Sequence, residues 1–236
     1  MAKMLTWVMM PSGWISDGRL RDLRWAKTGG ANNVAALMVL APILHHADRE
    51  LGVARLTYDQ LEFATTLSRT KISAGLSVLE KLGVLTRNLH GQSSYALTNF
   101  NPSAGWAKFP AARLYSEGRI QFFDELHLRK RAELDALKLW YLFAARRDND
   151  VNLAKITYDQ IVDLSNVPRE RIKSGLSLLA ANGLVHVEHV PSRHSEYGVA
   201  NAYRLPQIDS SRHMGSTGRG LTEFDDLSLG AFAADE

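Results

Sequence analysis

Apolar positions recur at helical spacing through most of this chain, and polar breaks divide them into short elements. Ile72, Leu76 and Leu79 stand at i, i+4 and i+7, one stripe of a helix predicted over residues 69–82. At about 100° per residue, Thr70, Ala74, Ser77 and Lys81 fall on the opposite side, flanked by Lys71 and Ser73. Val34, Leu37, Met38, Ala41 and Leu44 predict an earlier helix over residues 33–47, with a kink expected at Pro42. Between the two, Thr57 reads as the N-cap of a short helix over 58–64 that buries Leu61. Gly83 closes the third helix as a C-cap. Residues 84–88, a turn at 90–94 and residues 95–97 then read as strand, turn, strand.

The whole pattern occurs twice. Leu56-Thr57-Tyr58-Asp59-Gln60-Leu61 returns as Ile156-Thr157-Tyr158-Asp159-Gln160-Ile161, one hundred positions later. Ser68-Arg69-Thr70-Lys71-Ile72 aligns with Pro168-Arg169-Glu170-Arg171-Ile172 at the same offset, and Gly83-Val84-Leu85 with Gly183-Leu184-Val185. So does Ser16-Asp17-Gly18-Arg19-Leu20 with Ser116-Glu117-Gly118-Arg119-Ile120. These pentads read as tight turns with Gly18 and Gly118 at positive φ; the alternative makes Arg19 and Arg119 phosphate contacts. A period this long argues for two domains rather than a solenoid of short units. The second copy predicts helices over 133–147, from Thr157 and from Arg169, then strands at 184–189 and 202–205 around a longer loop at 190–199. Its third helix presents Glu170, Arg171, Lys173, Ser174 and Ser177 outward. Gly75 and Gly175 lie mid-helix, where glycine costs about 1 kcal/mol relative to alanine. Their presence in both copies predicts that the second helix crosses close against the third there. The expected fold class is mainly α with small β-hairpins. The organisation is a first domain over 1–98, a linker at 99–110, a second domain over 111–206 and an acidic tail from 207 to 236.

Composition narrows the function. The chain has 236 residues, 45% of them hydrophobic, enough for two small cores. It has no cysteine, which removes disulfides and thiolate metal sites and suits a cytoplasmic location. No apolar run approaches the roughly 20 residues that span a bilayer, so no membrane partner is expected. The opening Met1–Pro11 is too short and too broken for a signal peptide. The net charge of +3 conceals an asymmetry. Residues 206–236 hold two arginines against six acids, −4, which leaves +7 on the body. A basic body points to a polyanionic partner. In the tail, Phe224, Leu227, Leu229 and Phe232 alternate with acids, which reads as a disordered segment or a peptide that docks on a protein partner. Adjacent His45 and His46 point about 100° apart on a helix and cannot share one ion. His186, His189 and His194 form a weak metal constellation without cysteine support. No metal, cofactor or catalytic site is expected, since no Ser/His/Asp spacing, phosphate loop or paired carboxylate stands out.

Helix, helix, turn, helix, β-hairpin, carried by Thr-Tyr-Asp-Gln-Leu and Ser-Arg-Thr-Lys-Ile-Ser-Ala-Gly-Leu, resembles the winged helix-turn-helix of bacterial regulators (MarR-like and GntR-like families) and of plasmid or phage replication proteins. The resemblance covers residues 33–98 and 133–205. It implies that the third helix of each copy lies in the major groove of double-stranded DNA, where bases present a readable donor and acceptor pattern. The contacts it implies are Arg69, Thr70, Lys71, Ser73, Ala74 and Ser77 in the first copy. In the second they are Arg169, Arg171, Lys173, Ser174 and Ser177, with Arg193 on the wing loop. The N-termini near Ser68 and Pro168 would each cradle a phosphate. One chain would then act as a pseudo-dimer on two unlike half-sites, as a transcriptional regulator. A plasmid or phage replication initiator or a partition protein is an alternative within the same chemistry. From another class, tandem winged helices are similar to the kleisin-binding subunits of chromosome-condensing complexes, which need read no base. Nothing in the sequence sets an oligomeric state.

Overall fold

The computed structural model describes residues 4–26, 29–88, 93–191 and 199–209. The chain is a mixed α/β arrangement of helices and small antiparallel sheets. In order it forms β1 (Trp7–Pro11), α1 (Gly13–Ser16), a 3-10 turn at Arg19–Asp22, α2 (Gly30–His46), β2 (Val53–Arg55), α3 (Tyr58–Thr65), α4 (Arg69–Lys81), β3 (Leu85–Asn88) and β4 (Ser94–Leu97). There follow β5 (Trp106–Pro110), β6 (Tyr115–Ser116), β7 (Arg119–Ile120), α5 (Arg131–Arg146), β8 (Leu153–Lys155), α6 (Tyr158–Ser165), α7 (Arg169–Ala181), β9 (His186–Pro191) and β10 (Val199–Arg204).

The helix boundaries follow local chemistry. Thr57 accepts from the Gln60 amide while the Gln60 side chain accepts from the Thr57 amide, and Thr157 and Gln160 repeat this capping box. Gly83 and Gly183 leave their helices at φ 64°, and Gly18 and Gly118 turn at φ 77° and 82°. Pro42 lies inside α2, which continues through it to His46.

Three features depart from the sequence reading. Each hairpin gains a third strand, giving the orders β2-β4-β3 and β8-β10-β9. Residues 99–110, expected as a linker, contain β5, which pairs antiparallel with β1. The two halves also do not keep separate cores. One cluster of buried side chains runs from Val8 to Ile208 through both repeats, because α2 and α5 pack directly on each other. Buried from Val34 to His45, α2 is apolar on nearly all sides, as a central helix must be.

The β1–β5 register is self-complementary. Trp7 faces Pro110, Met9 faces Lys108 and Pro11 faces Trp106, so the Trp-x-x-x-Pro pattern of each strand meets its own reverse. That is the pairing of a local two-fold axis. Contacts across the halves follow the same exchange: the Arg19–Asp22 turn packs on α6, and β7 packs on α3. Gly118 lies under Phe63, where a Cβ would stand 2.7 Å from the ring.

The mid-helix glycines face the first helix of each half, not the second as expected. A Cβ on Gly75 would stand 2.9 Å from the backbone of Ala35 and Ala36 on α2. At Gly175 the nearest atom is Leu139 Cδ1 at 2.9 Å, with α5 backbone at 3.2 Å and beyond. Gly75→Ala is therefore expected to destabilise by about 1–3 kcal/mol despite alanine's higher helix propensity, because rigid backbone must move. Gly175→Ala costs less, since a leucine methyl can swing away. Urea midpoints of the two variants test this; equal or higher midpoints for Gly75→Ala would refute the close crossing.

Candidate nucleic-acid interface

α4 and α7 each bury one stripe and leave the opposite side open. Ile72, Leu76 and Leu79 are buried on α4, and Ile172, Leu176 and Leu179 on α7. On the open side of α4, Thr70, Ser73 and Ser77 are exposed and Ala74 is half-buried. On α7, Glu170, Lys173, Ser174 and Ser177 are exposed. The Ser77 and Ser177 hydroxyls donate back to the carbonyls of Ser73 and Lys173, each at 2.9 Å. Each still has lone pairs for an outside donor. The α4 face is thus small and polar, a surface that a groove edge can approach closely, whereas the α7 face carries the long charged side chains of Glu170 and Lys173 beside its serines.

Arg69 and Arg169 stand at the N-terminal ends of these helices, side chains 63% and 65% exposed. Each is held by an acid ten positions earlier, Arg69 by Asp59 and Arg169 by Asp159. Arg69 also lies 3.7 Å from Glu62. Such exposed pairs contribute about 0–1 kcal/mol, so a phosphate can displace the carboxylate. The sequence reading missed this role of the two aspartates. The signal was present, since the Asp–Arg spacing is the same in both repeats.

Two expected contact residues turn inward. Arg171 places Nε 3.1 Å from the Asp135 carboxylate on α5, and Lys71 donates to Asn32 Oδ1 at 3.0 Å on α2. Both sit beside the buried stripe, where a long side chain reaches the neighbouring helix more readily than the outer face. Arg193 lies outside the described residues, as do His194, Tyr197 and the tail from residue 210.

The helix N-termini differ. Ser68 accepts from the Lys71 amide at 3.4 Å, whereas Pro168 offers no side-chain acceptor to the first amides of α7. Arg87 on β3 was not foreseen. It bonds Glu80 through Nε at 2.7 Å and reaches the Ser77 hydroxyl at 3.3 Å, so it borders the open face of α4. The Arg87 hydrogen bond holds the Glu80 carboxyl below its usual range. Arg19 is structural. It donates to the carbonyls of Leu82 and Gly83 at 3.1 and 2.9 Å, satisfying the C-terminal end of α4. Its counterpart Arg119 stacks over the Phe63 ring at 5.3 Å, and Gln207 takes over the carbonyl of Gly183.

Among the described residues no helix is long and apolar enough to cross a membrane. His186 and His189 lie on β9, opposite Arg204 and Asn201 of β10. No protein-family model matches this sequence, and a comparison with curated proteins finds no match.

Proposed function

We propose that this chain binds double-stranded DNA through two winged helix-turn-helix units arranged as a pseudo-dimer, and that it regulates transcription from the site it reads. The observation that carries the reading is the matched pair of open faces, Ser73/Ser77 on α4 and Lys173/Ser174/Ser177 on α7. Each lies beside an outward arginine on a weak, displaceable ion pair. The self-complementary β1–β5 pairing supports a two-fold arrangement, the symmetry with which a dimeric reader meets two half-sites on a duplex. Because the faces differ, the half-sites differ. Phosphate contacts from Arg69, Arg169 and Lys173 provide much of the affinity and make it salt-dependent.

The test is selection from a random duplex library at two salt concentrations. An enriched site with two unlike halves is expected. Arg169→Ala with Lys173→Ala should make the slope of log affinity against log salt shallower by about 2. Asp59→Asn with Asp159→Asn should tighten binding up to several-fold, since Arg169 loses its acid and Arg69 keeps only Glu62, each such exposed pair contributing about 1 kcal/mol or less. Binding that is absent even at low salt would sink the proposal. The genomic position of the enriched site, at a promoter or at an origin, separates a regulator from a replication initiator.

A further inference from the structure

A cleft of about 210 Å³ lies between residues 23–25 of the first half and helices α5 and α7 of the second. Four cationic side chains line it: Arg24, Arg131, Lys138 and Arg171. The carboxylate beside them, Asp135, is already engaged by Arg171 at 3.1 Å. Lys138 is 2% exposed, yet its ammonium has three N–H donors and meets a single acceptor among the described residues, the Leu23 carbonyl at 2.9 Å. Burial pulls Lys138 down to about 8, opposed by Asp135 and Asp22 and reinforced by Arg171 and Arg24. The N-terminus of α7 opens on the same cleft, and Pro168 cannot cap it.

The fold itself does not require this charge. At the matching positions of the first repeat stand Ala31, Ala35 and Met38, where the second has Arg131, Asp135 and Lys138. A buried ammonium is costly unless an anion compensates it. We propose that this cleft is a binding site for a phosphoryl group, held by Lys138, Arg131 and Arg24 at the start of α7. Its volume falls below the roughly 300–1,000 Å³ of pockets that enclose a drug-sized ligand, so it takes a phosphate and not a whole nucleotide. The group belongs either to a small phosphorylated anion or to a nucleic-acid backbone, and the site stands independently of the base-reading faces.

The experiment is thermal unfolding of the full chain with inorganic phosphate, against chloride at equal ionic strength. At about ten times the dissociation constant, phosphate should raise Tm by roughly 3–5 °C. Arg131→Ala and Arg24→Ala, both at the exposed rim, should fold and lose most of that shift. Lys138→Met, which places the residue of the first repeat there, should abolish the shift, read against that variant's own phosphate-free Tm. A shift no larger than chloride's, or one retained in both Lys138→Met and Arg131→Ala, overturns the site. Duplex titrations of the same variants identify the source. Lost affinity in Lys138→Met with competition by phosphate marks a backbone phosphate, and unchanged affinity marks a free anion. Failure of the wild-type chain to bind any duplex would refute the DNA proposal and leave the phosphate result standing.

Discussion

Replacing Phe109 by alanine is expected to lower the stability of the whole chain by about 3–5 kcal/mol. Phe109 is fully buried on β5. Its ring stacks on Tyr141 at 4.8 Å, meets Trp140 at 4.7 Å and lies 5.8 Å from His45, so one side chain joins helices from both repeats. Truncation removes the transfer free energy of the ring and leaves a cavity that two packed helices cannot close. Because the buried cluster is continuous, the loss should appear as one cooperative transition moved to lower urea, with the same midpoint by circular dichroism and by tryptophan fluorescence. A loss below about 1 kcal/mol would show that the ring is dispensable. Two separated transitions would show that the repeats fold independently and that residues 99–110 are a linker after all.

Acidification is the second large effect. His45 is 7% exposed, with Nε2 2.9 Å from the Pro110 carbonyl and Nδ1 2.8 Å from the Tyr115 hydroxyl. A carbonyl only accepts, so Nε2 carries the proton and Nδ1 accepts from Tyr115. Burial lowers the imidazole to about 3, with the Pro110 bond opposing and His46 adding. An unfolded chain takes up a proton near pH 6.5 that the native state refuses until about 3. The stability is therefore fully present above about 6.5 and falls as pH drops, by about 1.4 kcal/mol per unit in that window. At pH 4.5 the expected loss is roughly 3 kcal/mol. Glu80 and Asp48, whose carboxyls sit low for their bonds to Arg87 and to the Leu51 amide, add to the loss only at lower pH. Urea unfolding of the native chain and of His45→Gln at pH 7, 6 and 5 measures it. The variant should keep only the shallower slope left by His46, which burial also lowers, and an equal slope in both proteins would assign the effect elsewhere.

Much of the candidate interface could be read from the chain because it depends on neighbours in sequence. Ile72, Leu76 and Leu79 define the buried stripe of α4, and the residues opposite them are the open ones. Lys71 and Arg171 escaped that logic. They lie at the margin of the stripe, and which way a long side chain turns depends on what the adjacent helix offers, here Asn32 and Asp135.

The sequence by itself determined the hundred-residue recurrence, the helix starts at Thr57 and Thr157, the left-handed glycines and the order of the helices after Gly30. Each of these is settled by interactions within a few residues, where the chain has little freedom to choose another partner. Only the tertiary structure decided that the repeats share one core, that Trp7–Pro11 and Trp106–Pro110 are strands, that Arg19 caps α4 and that Lys138 is buried beside three other cations. Those outcomes join residues about sixty to over one hundred positions apart, and five-residue strands with no internal hydrogen bonds become strands only when such a partner arrives.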